Sequence, residues 1–446
     1  MVEKLIKIMV RLVSIALLPL LLIGFLVVLP SPVEAFNVYN ETSLPINSKS
    51  VNDYCKRWFN CFDELISPGN KGTCPWDVKR CNSKGGRQDD VKIWMETEDD
   101  FLCILPMHAG GYAVIEEVKN RYTGRNDYKC LTYNRDGDED YPLRTTSPYG
   151  AGGEDPRNVH FLITADPQYE NKNEERNEIS KKTIKKMKSL FKDTTDMRGV
   201  VIAGDLTQNA IKDPPPSFPK EYEIYQESIQ GQARFFFDGL GNHDLENTGW
   251  TSDPEAIKDD IKERKRGSRV YKSSSKLHYS WDWDDVHFVQ LNLFPGDESA
   301  PQFPQLDPQE SLSFLKKDLN DKVGSSRRPI VLISHYGFDP FSLGNNEKWW
   351  TEEQRKEFWD AIADYNVLAI FTGHIHPFPK GDWKYPFKRP NGSSNGPDEI
   401  STFVSGATLK AAFLDVNIDQ SKITIERWGF KDGELKMYDN ETLRLN

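Results

Sequence analysis

Five short apolar runs in the C-terminal part of the chain each stop at a polar cluster. Phe161–Thr164 runs into Ala165-Asp166-Pro167-Gln168, and Val200–Ala203 into Gly204-Asp205. Phe235–Phe237 leads to Gly241-Asn242-His243-Asp244, Ile330–Ile333 to Ser334-His335, and Leu368–Phe371 to Gly373-His374-Ile375-His376. Runs of this length and composition read as buried strands. Amphipathic segments lie between them. Ile179, Ile184, Met187, Leu190 and Phe191 share a helical face of a Lys-rich segment, whose lysines form its wet side, while Ser311–Leu319 and Glu352–Ala363 are further helices. Leu277–Trp283 and Val286–Leu293 form a hairpin turning at Asp284-Asp285. Strand–helix alternation predicts a layered α/β domain with loops at the strand C-termini.

Asp, Asn, Gln and His at five strand ends are hard or borderline metal donors, with no thiolate among them. Glycines beside three of the five allow tight turns after the strands. A shared carboxylate, two neutral or acidic oxygen donors, three imidazoles and solvent fill two metal sites, expected about 3.5–4 Å apart. Such a pair suits phosphoryl chemistry: both ions hold phosphate oxygens, and a bridging hydroxide attacks phosphorus in line with the leaving oxygen. A His beside the site can protonate the leaving alkoxide.

The five segments, in this order, resemble the blocks D-x-H, G-D, G-N-H-[DE], lone His and G-H-x-H of the calcineurin-like metallophosphoesterases. The hairpin YSWDWDDVHFVQLN and the late TFVSGAT segment are also similar to that superfamily. The resemblance covers about residues 158–430 and implies a four-layer α/β/β/α sandwich. It implies Asp166, Gln168, Asp205 and His376 for the first metal, and Asp205, Asn242, His335 and His374 for the second. Asp205 would bridge, and His243 would bind phosphate or protonate the leaving group. One block departs: D-P-Q replaces D-x-H, so an amide oxygen of Gln168 stands where imidazole is usual. That favours manganese, iron or magnesium over zinc, which stays possible. Some superfamily members similar to protein Ser/Thr phosphatases share A-D-P-Q. Gln208 stands where purple acid phosphatases carry the Tyr that binds ferric iron, so a purple site is not expected.

The first 35 residues have a Lys4/Lys7/Arg11 start, an apolar run from Leu12 to Leu29 and a Val33-Glu34-Ala35 cleavage pattern. They read as a secretory signal peptide, with a signal anchor as the alternative, and the mature chain is expected to be secreted or periplasmic with no membrane span. All six cysteines lie between Cys55 and Cys130. An even number packed into an exported segment predicts three disulfides, because the spacings do not suit zinc. Residues 36–135 are thus a small disulfide-rich, mostly β domain, opening with a loose polar leader over 36–50. Residues 136–157 are a linker, whose DGDED piece lacks the Gly and Glu of a calcium loop. Residues 158–446 are the large domain. The net charge of −11 argues against a nucleic-acid-binding surface. Nothing fixes the oligomeric state.

His108, His160, His278 and His287 lack motif neighbours and are expected to be structural. Asp244 either caps a helix or orients His243. Trp349, Trp350, Phe358 and Trp359 either pack a helix or line a substrate mouth. Asn40, Asn391 and Asn440 lie in glycosylation sequons. The expected partner is a phosphate ester. A phosphatase leads, a phosphodiesterase acting on a nucleotide or phospholipid headgroup is the alternative, and a surface-binding or toxin-like protein with an idle domain is the third possibility. Substrate choice would lie in loops 207–232, 338–356 and 377–400.

Overall fold

The computed structural model describes residues 34–51, 62–138 and 157–445, apart from 76–77, 79–80, 83, 85, 88, 99–100, 120–125, 195, 211–219, 246–253, 267–269, 293–295, 298–309, 338–349, 380 and 432. The signal-peptide segment up to residue 33, Cys55, Cys61, Trp349 and most of the 136–157 linker lie outside the described residues.

Two sheets carry the large domain. In the first, Phe236–Asp238, Met197–Ile202 and Val159–Thr164 run parallel. Ala412–Ile418, Lys422–Lys431 and Glu434–Arg444 continue it antiparallel. In the second, the hairpin strands Tyr279–Trp283 and Val286–Leu291 lead into parallel Ile330–Ser334, Val367–Thr372 and Glu399–Val404, with Lys384–Lys388 antiparallel at the edge. Alternation of side chains explains why these strands are buried throughout. Val331 and Ile333 face the core between the sheets, where Phe161 meets Phe288 and Phe371. Ile330 and Leu332 face the second core, under helices Ser311–Asp318 and Glu352–Ile362. Helices Glu174–Asp193 and Glu221–Ile229 cover the first sheet. The result is the expected four-layer sandwich. Trp350, Phe358 and Trp359 are buried in the second core, so they pack and do not line a mouth. All three expected specificity loops contain regular structure: helix Glu221–Ile229, the start of helix Glu352–Ile362 and strand Lys384–Lys388.

The N-terminal domain is a β-sandwich of two four-stranded sheets. Residues 36–50 are not a loose leader: Glu34–Glu41 and Ile46–Val51 are strands in opposite sheets. Phe36, Val38 and Asn40 point inward in the first, and Ile46, Ser48 and Ser50 in the second. Serines at inward positions conceal the alternation that would otherwise announce a strand. Cys103–Cys130 joins the two sheets and Cys74–Cys81 closes a local loop, which removes the zinc alternative for these four residues. The Asn40 sequon is also buried: its amide nitrogen donates to the carbonyls of Leu44 and Ile66, both at 2.8 Å. A glycan cannot be carried on that nitrogen in this fold.

The sandwich docks on the large domain through Trp94, whose ring lies 5.4 Å from that of Phe235. The Arg234 guanidinium sits 4.7 Å above Trp94 and pairs with Glu96. Among the described residues no helix is long and apolar enough to cross a membrane.

Three of the isolated histidines, His160, His278 and His287, are held within the fold, as expected. His287 is buried between Asp282 and Asp318, and His278 Nδ1 accepts from the Asn292 N–H. His160 is held between Asp196 (3.2 Å) and Asp415 (2.7 Å). Burial alone would lower its pKa, but the two carboxylates outweigh that and push it up to about 9. A folded-state value above the ordinary 6.5 stabilises fully below pH 6.5, and the contribution fades as pH rises through about 9. Chemical denaturation of wild type and His160→Asn from pH 6 to 10 should therefore show a stability gap that is widest at pH 6 and closes by pH 10. A gap independent of pH would show that the carboxylates do not hold a proton on His160.

Candidate metal centre

The parallel strands of both sheets point their C-terminal ends to one edge, the usual place for a site in a layered α/β domain. Asp166, Asp205 and Asn242 follow three strands of the first sheet, and His335 and His374 follow two of the second. The backbone binds these turns to one another. Asp166 N donates to Gly204 O (3.0 Å), Gln168 N to Asp205 O (2.9 Å) and Gly373 N to His335 O (2.9 Å). Thr408 N, at the end of the late TFVSGAT segment, donates to Ala165 O (3.0 Å).

The turns are strained where the donors sit. Asp166, Gln168, Asp205 and His374 have φ of 53°, 41°, 57° and 68°. Left-handed backbone in non-glycine residues costs roughly 1–3 kcal/mol each and concentrates at functional sites. The glycines have two different roles. Gly204 is itself left-handed, at φ 89°. Gly241 is not, but a Cβ there would lie 2.0 Å from Asp205 Oδ1, so its role is close approach and not a tight turn.

Asp205 is the centre of the arrangement. Its carboxylate accepts from the His243 N–H (2.9 Å) and from Gln168 Nε2 (2.9 Å), and His335 Nε2 lies 3.2 Å away. Asp205, His335 and His374 offer atoms that all lie within 4.8 Å of one another. Burial opposes the Asp205 charge, but His335, His243 and His374 hold its carboxyl far below the usual range. Burial pushes His374 down to about 3, which leaves a neutral imidazole able to coordinate. His335 Nδ1 donates to the Ala203 carbonyl (2.7 Å), aiming Nε2 at Asp205 and at Asn242 Oδ1 (3.1 Å). A metal-binding histidine is commonly oriented in this way.

On the other side, His376 Nε2 lies 3.2 Å from Asp166 Oδ1, without the alignment of a hydrogen bond. Both Asp166 oxygens and His376 Nε2 are buried with no hydrogen-bond partner. Desolvating a carboxylate without compensation costs several kcal/mol, so these atoms suit a bound cation. The donor set and its orphaned oxygens fit divalent metal.

His243 is held by its ring: Nδ1 donates to the Gln208 carbonyl (2.8 Å), which leaves Nε2 outside that bond. Asp244 neither caps nor orients it. Its carboxylate accepts from the N–H groups of Leu206, Thr207 and Gly241 and from the Thr207 hydroxyl, tying two strand-end loops together. Burial and nearby Asp205 push it up to about 7 despite those hydrogen bonds.

One expected ligand is turned the wrong way. Gln168 Oε1 is taken by Arg176, and the amide presents its NH2 to Asp205. An NH2 group has no lone pair for a metal, so in this orientation Gln168 is not the oxygen donor that D-P-Q suggests. Arg176 and Gln208 are the contributors that motif matching missed. Arg176 looks like one more cation in a Lys-rich helix, and Gln208 stood out only as the absence of Tyr.

Residues 159–378 match the family described as calcineurin-like phosphoesterase. The chain carries a domain of that family and is a metallophosphoesterase, a metal-dependent phosphoester hydrolase. Among solved structures, PhoD aligns over 91% of this chain and 84% of its own, at 9% identity and a TM-score of 0.44. The calcineurin-like phosphoesterase YfkN from Bacillus subtilis aligns over 65% of this chain and 90% of its own, at 11% identity and a TM-score of 0.28. Vps29 from Entamoeba histolytica, complexed with Zn, aligns over 65% and 100%, at 11% identity and a TM-score of 0.21. No curated protein matches the chain.

Gly241→Ala should be costly. The added methyl meets both Asp205 Oδ1 and, at 2.5 Å, the Asp205 backbone nitrogen. Overpacking of this kind costs typically 1–3 kcal/mol. Thermal unfolding should show a lowered Tm, and metal analysis a reduced metal content. A variant with wild-type Tm and metal content would show that the Asp205 turn moves freely.

Proposed function

We propose that the protein is a phosphomonoesterase that holds two divalent ions, one by Asp166, Asp205 and His376 and the other by Asp205, Asn242, His335 and His374. The observation that carries this is the buried Asp166 carboxylate, with no hydrogen-bond partner, at the same strand-end edge as the Asp205–His335–His374 cluster. The ions, when bound, supply polarisation of the phosphate oxygens and activation of water. The protein's own groups do the rest. Asp205 keeps its charge between the two positions, and the strained turns hold the donors before substrate arrives. His243 offers Nε2 to the phosphate or to the leaving oxygen, because Nδ1 is fixed on Gln208. The Arg176 guanidinium adds a fixed positive charge beside the acids, which favours the more highly charged monoester over a diester.

Carboxylate, Asn242 amide and imidazole donors without thiolate suit manganese, iron or magnesium, and with the Gln168 oxygen occupied by Arg176 they suit zinc as well. Two disulfides suit an oxidising compartment, and with the N-terminal signal pattern they support secretion or a periplasmic location.

Chelation should abolish hydrolysis, and added manganese or zinc should restore it; restoration by neither would remove the metal role. Asp205→Asn should lower kcat by about 10³-fold or more, since it takes charge from both positions. Residual activity above a tenth of wild type would exclude the shared-ligand role. His243→Asn should retain metal while lowering kcat roughly 10²–10⁴-fold on phosphoserine, and less on p-nitrophenyl phosphate, whose leaving group needs little protonation. Loss of metal in that variant would make His243 a ligand. Faster turnover of bis-p-nitrophenyl phosphate than of any monoester would replace the phosphatase assignment with a diesterase.

A further inference from the structure

We propose that Arg176, acting through Gln168, makes the Asp166–His376 position the weaker of the two metal positions. This rests on the metal assignment given above. A guanidinium has five N–H donors and no acceptor, so an amide beside it must present oxygen. Arg176 Nη2 donates to Gln168 Oε1, and the far end of the amide, Nε2, donates to Asp205 Oδ2 at 2.9 Å. Reversing the amide would set NH2 against guanidinium N–H groups and oxygen against carboxylate, two repulsive contacts in place of two attractive ones.

The lock is anchored at both ends. The Gln168 backbone is pinned at φ 41° by its N–H bond to Asp205 O. Arg176 stands in the first turn of helix Glu174–Asp193, where its N–H donates to the capping Asn173 side chain (3.1 Å). The Glu170 carboxylate lies 3.6 Å from Nη1. A cation at a helix N-terminus opposes the helix dipole, so nothing in helix formation calls for arginine here. Its side chain is half-buried in the field of Glu170, Asp166 and Asp205.

Two consequences follow for metal. The first position keeps three protein donors, Asp166, Asp205 and His376, whereas the second has four. It also faces a hydrogen-bond donor and a fixed positive charge where a ligand would otherwise stand. The second position should fill first. Arg176 is thus a positioning residue, acting on the metal through Gln168 and through its charge.

The test is manganese binding to the chelator-stripped full chain, followed by calorimetry and by the electron paramagnetic resonance signal of free manganese. Wild type should show two phases whose Kd values differ by roughly 10-fold or more, the usual reach of groups that orient or crowd ligands. Arg176→Met should tighten the weaker phase by about 10-fold and leave the stronger within threefold. Gln168→Met should leave both phases within about threefold, because no ligand is removed. Should Arg176→Met fail to fold, Gln168→Met decides alone: a 10-fold or greater weakening of the weaker phase would make Gln168 a ligand and overturn the proposal. Two equal phases in wild type would also overturn it. No manganese binding by wild type would instead defeat the metal assignment beneath it.

Discussion

The structure depends on one buried negative charge. The Asp205 carboxylate lies where the two sheets converge, and it is approached by the His243 backbone, the Gln168 amide and the His335 ring. Taking a carboxylate out of water is unfavourable unless hydrogen bonds and opposite charge replace the lost hydration. The turns around it follow from that requirement. Gly241 leaves no methyl in the way, Gly204 takes the left-handed turn that follows its strand, and Asp244 clamps the neighbouring loops with four accepted hydrogen bonds. Asp166 differs from Asp205: it is as deeply buried, yet its oxygens accept no aligned hydrogen bond, with His376 Nε2 beside Oδ1 at 3.2 Å. The contrast between a satisfied and an unsatisfied carboxylate suits the edge to a bound cation.

Much of this was legible in the chain. Apolar runs buried on both faces and closed by polar clusters announced the parallel strands, because each run is short and each cluster lies at its C-terminal end. The hairpin turned at Asp284-Asp285 as expected, and the strand and helix limits shifted by at most three residues. The phosphoesterase fold followed from the order of those clusters. His160 and His287 proved structural for a reason no motif supplies: carboxylates from distant segments meet them.

The failures have a common cause. Residues 36–50 looked shapeless because the inward positions of the second strand carry Ser48 and Ser50, and a small polar residue can fill a core position that hydropathy does not register. The orientation of the Gln168 amide could not be read from its motif, because its partner Arg176 belongs to the next helix. Asp244 was assigned to capping or to His243, whereas it satisfies backbone groups of a loop nearly forty positions earlier. In each case the deciding partner is distant in sequence or silent in composition.

The left-handed backbone at Asp166, Gln168, Asp205 and His374 has an implication for how variation at this centre is to be understood. A β-branched side chain is a steric outlier in that region, while asparagine and aspartate enter it readily. These four positions would therefore reject valine, isoleucine and threonine even in a protein stripped of metal and never asked to turn over. Intolerance measured there confounds two causes, the shape of the chain and the chemistry of the donor. Only replacements that keep the backbone at ease, such as asparagine for aspartate, can tell them apart.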